Sequence, residues 1–241
     1  MKRVVAPFLV GAYVVEERLA ARDRNEYPYN LPFVPDLDVD LANEVTLFTG
    51  ENGSGKSTLL MALAILAGLP PTGGSRNELS TIDEGSAALA AIMRPKFRSK
   101  PPDSFYFRAN GLTDFARLLD RRREEGFAGD PYALYGGQSL NTRSHGEGMR
   151  AVLTSRTRGG LFLFDEPEAA LSPKRQLDFV DHVAKMVETG TSQFIIATHS
   201  PILMAIDGAK VIDFNRRELP FIKPTETDHW KVFKQVMDSK G

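Results

Sequence analysis

The chain has 241 residues, a formal net charge of −1, 42% hydrophobic and 25% charged residues, and no cysteine. At roughly 100–200 residues per domain, this length suits one domain, or one domain with an insertion, and the composition is that of an ordinary globular protein. Lack of cysteine excludes a disulfide framework, a thiol nucleophile and Cys-ligated zinc or iron–sulfur sites, and the near-zero charge leaves only local attraction to nucleic acid or anionic lipid. In chain order, Met1 to Pro7 holds a few basic and apolar residues, but Glu16, Glu17 and Arg18 cut the apolar stretch short. No run approaches ~18 apolar residues, so neither a signal peptide nor a membrane span is expected, and the default location is the cytoplasm. Val45 to Phe48, Leu161 to Phe164, Phe194 to Ala197 and Val211 to Phe214 are the most hydrophobic short runs, and runs of this length suit strands buried on both faces. Between them, Ser57 to Ala67 reads as a helix stopped by Gly68 with Pro70 and Pro71 beyond. From Pro173 to Thr189 the apolar residues Leu177, Val180, Ala184 and Val187 recur at helical spacing, with Ser172 as N-cap, Pro173 at N1 and Gly190 as the stop. Alternating strands and helices predict an α/β fold, a mainly parallel sheet flanked by helices. Residues 69–140 break the rhythm and read as an inserted, mainly helical subdomain with one helix near Leu112–Arg123, within a single domain over 1–241. Thr225 to Gly241 reads as a short amphipathic helix around Trp230, Val232, Phe233 and Val236.

Gly50, Glu51, Asn52, Gly53, Ser54, Gly55, Lys56, Ser57 and Thr58 fit the phosphate-loop pattern G-x-x-x-x-G-K-S/T, between an expected strand and an expected helix. Glycines let backbone N–H groups converge on a polyphosphate, and the helix N-terminus adds the positive end of its dipole. Lys56 reaches the β- and γ-phosphates in such a loop and the Ser57 hydroxyl ligates Mg²⁺, so ATP or GTP is the expected ligand. Asp165 and Glu166 follow a buried strand, at the edge where open α/β sheets bind ligands. Asp165 suits Mg²⁺ as a hard oxygen ligand, and Glu166 is the candidate general base for the attacking water.

With these motifs the chain resembles the ATP-binding-cassette class of ATPases, including SMC, RecF, MutS and OLD-like relatives, and above all the small stand-alone ATPases of that group. Ser144-His145-Gly146-Glu147-Gly148 is similar to the signature motif in its S-x-G-E variant, Ala169-Ala170-Leu171-Ser172 lies where the D-loop follows the acidic strand, and Ala197-Thr198-His199-Ser200-Pro201 is similar to the switch-histidine segment. The resemblance spans roughly residues 40–215. It implies Mg²⁺-dependent ATP hydrolysis in a head-to-tail homodimer, with Lys56, Ser57, Asp165, Glu166 and His199 of one copy facing Ser144, Gly146 and Glu147 of the other. The resulting motion acts on an unnamed protein partner, in nucleic-acid maintenance or defence. A transporter's nucleotide-binding subunit and a non-hydrolysing ATP-dependent switch are the alternatives.

Each resemblance has a plainer counterpart. Ser144 and Gly146 also suit an N-cap and turn before a helix near Gly148–Ser155. Leu134-Tyr135-Gly136-Gly137-Gln138 imitates the transporter signature L-S-G-G-Q, but Tyr135 replaces the hydroxyl donor and stands 30 residues before Asp165, against 21 for Ser144. His145, His182 and His229 read as packed or surface histidines. No glutamine lies between the phosphate loop and Gln138, so the Q-loop residue is absent and Asn110 is its candidate substitute; Ser172 stands where the D-loop aspartate is expected. Tyr27, Tyr29 and Phe33 are candidates for stacking on adenine or for plain core packing. Residues 94–123 hold nine basic and three acidic side chains among several aromatics, a candidate nucleic-acid surface or a solvated helical face. No heptad arm of the SMC kind is present.

Overall fold

The computed structural model describes residues 5–69, 74–75, 84–126, 129–155 and 158–239. Its centre is a sheet whose strands come from the runs with no polar face. In β3 (Val45–Thr49), β7 (Leu161–Asp165) and β8 (Gln193–Ala197) every residue is buried. Together with β6 (Ser104–Arg108) and β9 (Lys210–Asp213) they form a parallel core, because both faces are covered by helices or by a second sheet. Short antiparallel strands, β4 (Gly74–Ser75) and β10 (Phe221–Ile222), close the two edges, giving the order β10-β9-β3-β8-β7-β6-β4 among the described residues. A small antiparallel sheet, β2-β1-β5, is built from β1 (Leu9–Val14), β2 (Asp38–Asp40) and β5 (Met93–Phe97), with the short helix α1 (Glu16–Ala20) following β1.

The two faces of the main sheet bury separate cores. On one, Phe48, Leu163 and Ile195 pack with the small sheet, with α3 (Glu84–Ile92) and with α2 (Lys56–Leu66). Helix α2 lies between the two sheets, and Leu59 to Ala64 are all buried. A helix buried all round needs no polar stripe, and this one has none. On the other face Phe105, Phe162, Phe164 and Phe194 meet α4 (Leu112–Glu124), α5 (His145–Leu153) and α6 (Pro173–Glu188). The chain ends in α7 (Asp228–Asp238), none of whose residues is buried. No helix among the described residues is long and apolar enough to cross a membrane.

Residues 69–140 do carry α3 and α4, yet they also supply strands to both sheets. β5 pairs with β1, and β6 pairs in parallel with β7 over its whole length, Ser104 with Leu161 through Arg108 with Asp165. The expected mainly helical insertion is therefore interrupted by structural strands of the core. Pro70 and Pro71, expected beyond the end of α2, lie outside the described residues.

The nine basic residues of 94–123 are divided by the same topology. Arg94 and Lys96 stand on β5 of the small sheet, while Arg117, Arg121, Arg122 and Arg123 stand on α4, across the main sheet. Lys96 pairs with Asp38, Arg117 with Asp114 and Arg108 with Asp165. One continuous basic surface is not formed: adjacency in sequence is undone where β6 carries the chain through the sheet.

Candidate active site

Parallel register brings the carboxyl ends of β3, β6, β7 and β8 to one edge. Phe48 stands beside Ala197, Asp165 beside Ala197, and Arg108 beside Asp165. The phosphate loop leaves β3, Glu166 follows β7, and Thr198 and His199 follow β8. Gly55, the N-cap of α2, has φ +95°, and a Cβ there would stand 2.6 Å from the Phe33 ring. Only glycine fits a left-handed position so tightly roofed. Gly50 has φ +144°, and the Glu51 N–H donates to Asn215 Oδ1 at 2.7 Å, which anchors the start of the loop.

A cavity of about 400 Å³ is lined by Asn52, Gly53, Lys56, Ser57, Arg108 and Glu166, with Tyr27, Leu31, Gly55 and Thr58 also on its wall. Inside it Lys56 Nζ donates to the carbonyls of Gly50 (2.7 Å) and Glu51 (2.9 Å). Burial pulls the Lys56 ammonium below its ordinary pKa, against the attraction of Glu166 and Asp165. Ser57 Oγ donates to Asp165 Oδ1 at 2.8 Å. Burial is also the main reason that the Asp165 carboxyl is pushed up to about 6, opposed by the Ser57 hydroxyl and by Arg108. Arg108 Nε lies 3.2 Å from Asp165 Oδ2, yet that buried oxygen accepts no hydrogen bond. A hydroxyl and a carboxylate side by side, with one buried carboxylate oxygen short of a partner, form the hard-oxygen donor set that suits Mg²⁺ beside a polyphosphate.

Glu166 has φ +50°, ψ +50°, a left-handed conformation uncommon for a residue with a side chain and of the kind that collects at active sites. His199 Nε2 lies 3.6 Å from Glu166 Oε1. Burial, then the neighbouring Lys56, holds the His199 ring below its usual pKa, so it is neutral at pH 7.

The sequence motifs for phosphate, metal and base thus converge. Ser144, Gly146 and Glu147 do not line this cavity: Ser144 and Glu147 are exposed at the start of α5. Ser144 caps the helix in a full capping box, its Oγ accepting from the Glu147 N–H at 3.4 Å and donating to Glu147 Oε2 at 2.7 Å. A larger cavity, about 570 Å³, lies beside α5 and the Leu134–Gln138 turn, away from the phosphate loop. That turn is a short 3-10 segment, and no helix starts directly after it. Of the adenine candidates, Tyr29 and Phe33 are buried in the core; Tyr27 is exposed on the cavity wall, its hydroxyl 2.6 Å from Thr58 Oγ1. Asn110 is exposed in the turn after β6, and Arg108 is the residue of that strand end that reaches Asp165. Ser172 occupies the N-cap of α6 without a side-chain capping hydrogen bond.

Three participants were not singled out from sequence. In the sequence Arg108 is only one of the nine basic residues of 94–123. Glu168 Oε1 accepts from Thr198 Oγ1 (2.8 Å) and from the His199 N–H (2.6 Å), tying the turn after β7 to the segment after β8. His229, read as a packed or surface residue, has Nε2 2.9 Å from His199 Nδ1. Glu168 stands in the same acidic run as Asp165 and Glu166, so a signal existed for it; for His229 there was none.

Residues 31–101 match a family model described as an AAA domain, and residues 136–205 one described as an AAA domain, putative AbiEii toxin, Type IV TA system. The hemin import ATP-binding protein HmuV of Burkholderia thailandensis is 30% identical over 205 residues, covering 70% of this chain and 74% of the relative. HmuV of Streptomyces coelicolor is 33% identical over 159 residues, 60% of this chain, and the match spans 56% of that relative's length. The lipoprotein-releasing system ATP-binding protein LolD of Bordetella avium is 27% identical over 215 residues, 81% of this chain and 91% of the relative. Among solved structures, the ADP conformation of MJ1267, an ATP-binding cassette of an ABC transporter, covers 98% of this chain and 100% of its own at a TM-score of 0.52 and 16% identity, which shows the shared fold. With phosphate loop, acidic strand end and switch histidine assembled at one sheet edge, the chain belongs to the ATP-binding-cassette class of P-loop ATPases.

Proposed function

We propose that the chain is a cytoplasmic ATPase whose two copies close head to tail around MgATP and separate after ATP and water have become ADP and phosphate. The observation that carries this reading is the Ser57–Asp165 contact beside a buried Lys56, with the signature residues of the same chain outside the cavity. In one copy, Lys56 exchanges the Gly50 and Glu51 carbonyls for β- and γ-phosphate oxygens. Ser57 and Asp165 would hold Mg²⁺, which when bound would supply charge neutralisation at those oxygens. Glu166 accepts the proton of the attacking water, and His199 Nε2–H donates to the terminal phosphoryl group as its charge grows. The second copy contributes the Ser144 hydroxyl and the α5 N-terminus, with Gly146 allowing close approach and Glu147 fixing the cap.

ATPase rate and light-scattering mass of wild type and Glu166→Gln test it. Slow turnover in the wild type and an ATP-trapped dimer in the variant are expected. A variant that stays monomeric with MgATP, beside a wild type no faster than the variant, refutes it. The likeness to HmuV and LolD supports a second reading, the nucleotide-binding subunit of a transporter. Under the first reading the cycle drives a partner in DNA maintenance or defence, and nucleic-acid contact rests on the arginines of α4; loss of DNA stimulation on neutralising Arg121, Arg122 and Arg123 tests that.

A further inference from the structure

The switch histidine does not stand alone. Its ring meets His229 at the start of α7, with ring centroids 4.7 Å apart, planes inclined at 64°, and Nδ1 of His199 2.9 Å from Nε2 of His229. At that distance one nitrogen donates and the other accepts, so the contact fixes both tautomers.

The surroundings decide the direction. If His199 donated from Nδ1, its Nε2 would present a lone pair to Glu166 Oε1 at 3.6 Å, and the buried Nδ1 of His229 would be an N–H donor without an acceptor. If His229 donates instead, His199 carries its proton on Nε2 and turns an N–H toward the Glu166 carboxylate. Both arrangements leave His199 Nε2 and His229 Nδ1 without a hydrogen bond, but in this one the unbonded donor faces the Glu166 carboxylate at 3.6 Å and the unbonded group of His229 is an acceptor. A buried donor without an acceptor is the costlier defect, and a lone pair against a carboxylate adds repulsion.

We propose that His229 is a positioning residue for ATP hydrolysis: by donating Nε2–H to Nδ1 of His199 it holds that ring in the tautomer whose proton, on Nε2, faces Glu166 and is available to the terminal phosphoryl oxygen. This rests on the hydrolytic reading above for its consequence, but not for the contact itself. His229 is delivered to this place by a firm helix start. Thr227, buried, caps α7 by accepting from the Trp230 N–H at 3.2 Å and donates to the Pro224 carbonyl at 2.7 Å. The outer turns of α7 are exposed, so the helix is held at the end that touches the site.

Two near-isosteric replacements separate donation from mere packing. Gln at position 229 offers an N–H close to where the histidine Nε2–H stood, whereas Glu offers only acceptors. The measurement is ¹⁵N NMR of histidine-labelled, nucleotide-free full chain, with the His199 signals assigned through His199→Gln, alongside steady-state ATPase kinetics. Wild type and His229→Gln are expected to show His199 protonated on Nε2. His229→Glu is expected to show it protonated on Nδ1, with kcat lowered about 10- to 100-fold, the range by which outer partners of oriented imidazoles act, and KM for ATP within about twofold of wild type. The proposal is overturned if His199 is protonated on Nδ1 in the wild type, if the tautomer is the same in the Gln and Glu variants, or if kcat is unchanged by Glu. The spectra need no nucleotide and so judge the contact alone. A wild type no faster than Glu166→Gln overturns the hydrolytic reading and leaves the tautomer assignment standing.

Discussion

Gln193 joins the two sheets through one side chain, and replacing it with leucine isolates that joint. It is fully buried in β8. Its Oε1 accepts from the N–H groups of Phe8 (2.8 Å) and Leu9 (2.9 Å), and its Nε2 donates to the carbonyls of Leu9 (2.7 Å) and Leu41 (2.9 Å). Leucine has nearly the same volume but strips these two donors and two acceptors of their partner. A buried polar group left without its hydrogen bond is worth about 1–3 kcal/mol, so four such groups, each taken at the low end, come to about 4 kcal/mol. For a domain of this size that corresponds to a midpoint about 8–16 °C lower, at about 2–4 °C per kcal/mol. Urea unfolding followed by far-UV circular dichroism measures it, with an unchanged m-value showing that the compactness of neither state has moved. A loss under about 1 kcal/mol refutes the reasoning, since it means those four backbone groups find other partners at little expense.

Gly55→Ala places a methyl 2.6 Å from the Phe33 ring at φ +95°, so a loss of about 2–3 kcal/mol together with loss of ATP binding by isothermal titration is expected. Asp120 accepts from Tyr132, Asn141 and Ser139, and the tyrosine hydroxyl above all holds its carboxyl below the ordinary value of 3.8, while burial and this acceptor push Tyr132 up to about 12. A depressed folded pKa contributes stability above the unfolded value that disappears as pH falls through the folded one. The gap between wild type and Asp120→Asn in urea midpoint is therefore constant near neutrality and narrows below about pH 4. Burial pushes the Glu168 carboxyl up, favouring its neutral form, so Glu168→Gln keeps ATPase turnover within about twofold, while Glu168→Ala orphans Thr198 Oγ1 and the His199 N–H and loses about 1–3 kcal/mol with a fall in kcat.

The phosphate loop was legible because its physics is written in consecutive residues: glycines where φ is positive, a lysine and a hydroxyl one after the other. Asp165 and Glu166 were legible because a run of apolar residues that ends in acid announces a strand and its binding edge. β5 was not, since Met93 is its single buried residue and Pro95 and the basic residues around it read as loop; an edge strand tolerates both, because one side of its ladder has no partner to bond. The basic run of 94–123 is split between two faces for a related reason. Local charge counts assume that neighbours in sequence share a surface, and a strand that passes through a two-faced sheet separates them.

The histidine pair shows where such reading stops. His199 could be recognised from its segment, but the atom that fixes its tautomer belongs to a helix 30 residues later, placed there by the antiparallel pairing of β9 with β10 and by the Thr227 cap. Neither device has a motif tied to ATP, and each alone is an ordinary local feature of a folded chain. Glu168 grips the same segment from the other side through its backbone N–H. With ring and backbone held by different elements, a single loss should loosen one coordinate of His199 and spare the other: the ring's proton position for His229, the loop's path for Glu168. Damage from the double variant should therefore exceed either single effect without matching their sum, because a ring on a displaced loop no longer reaches Glu166 whatever its tautomer.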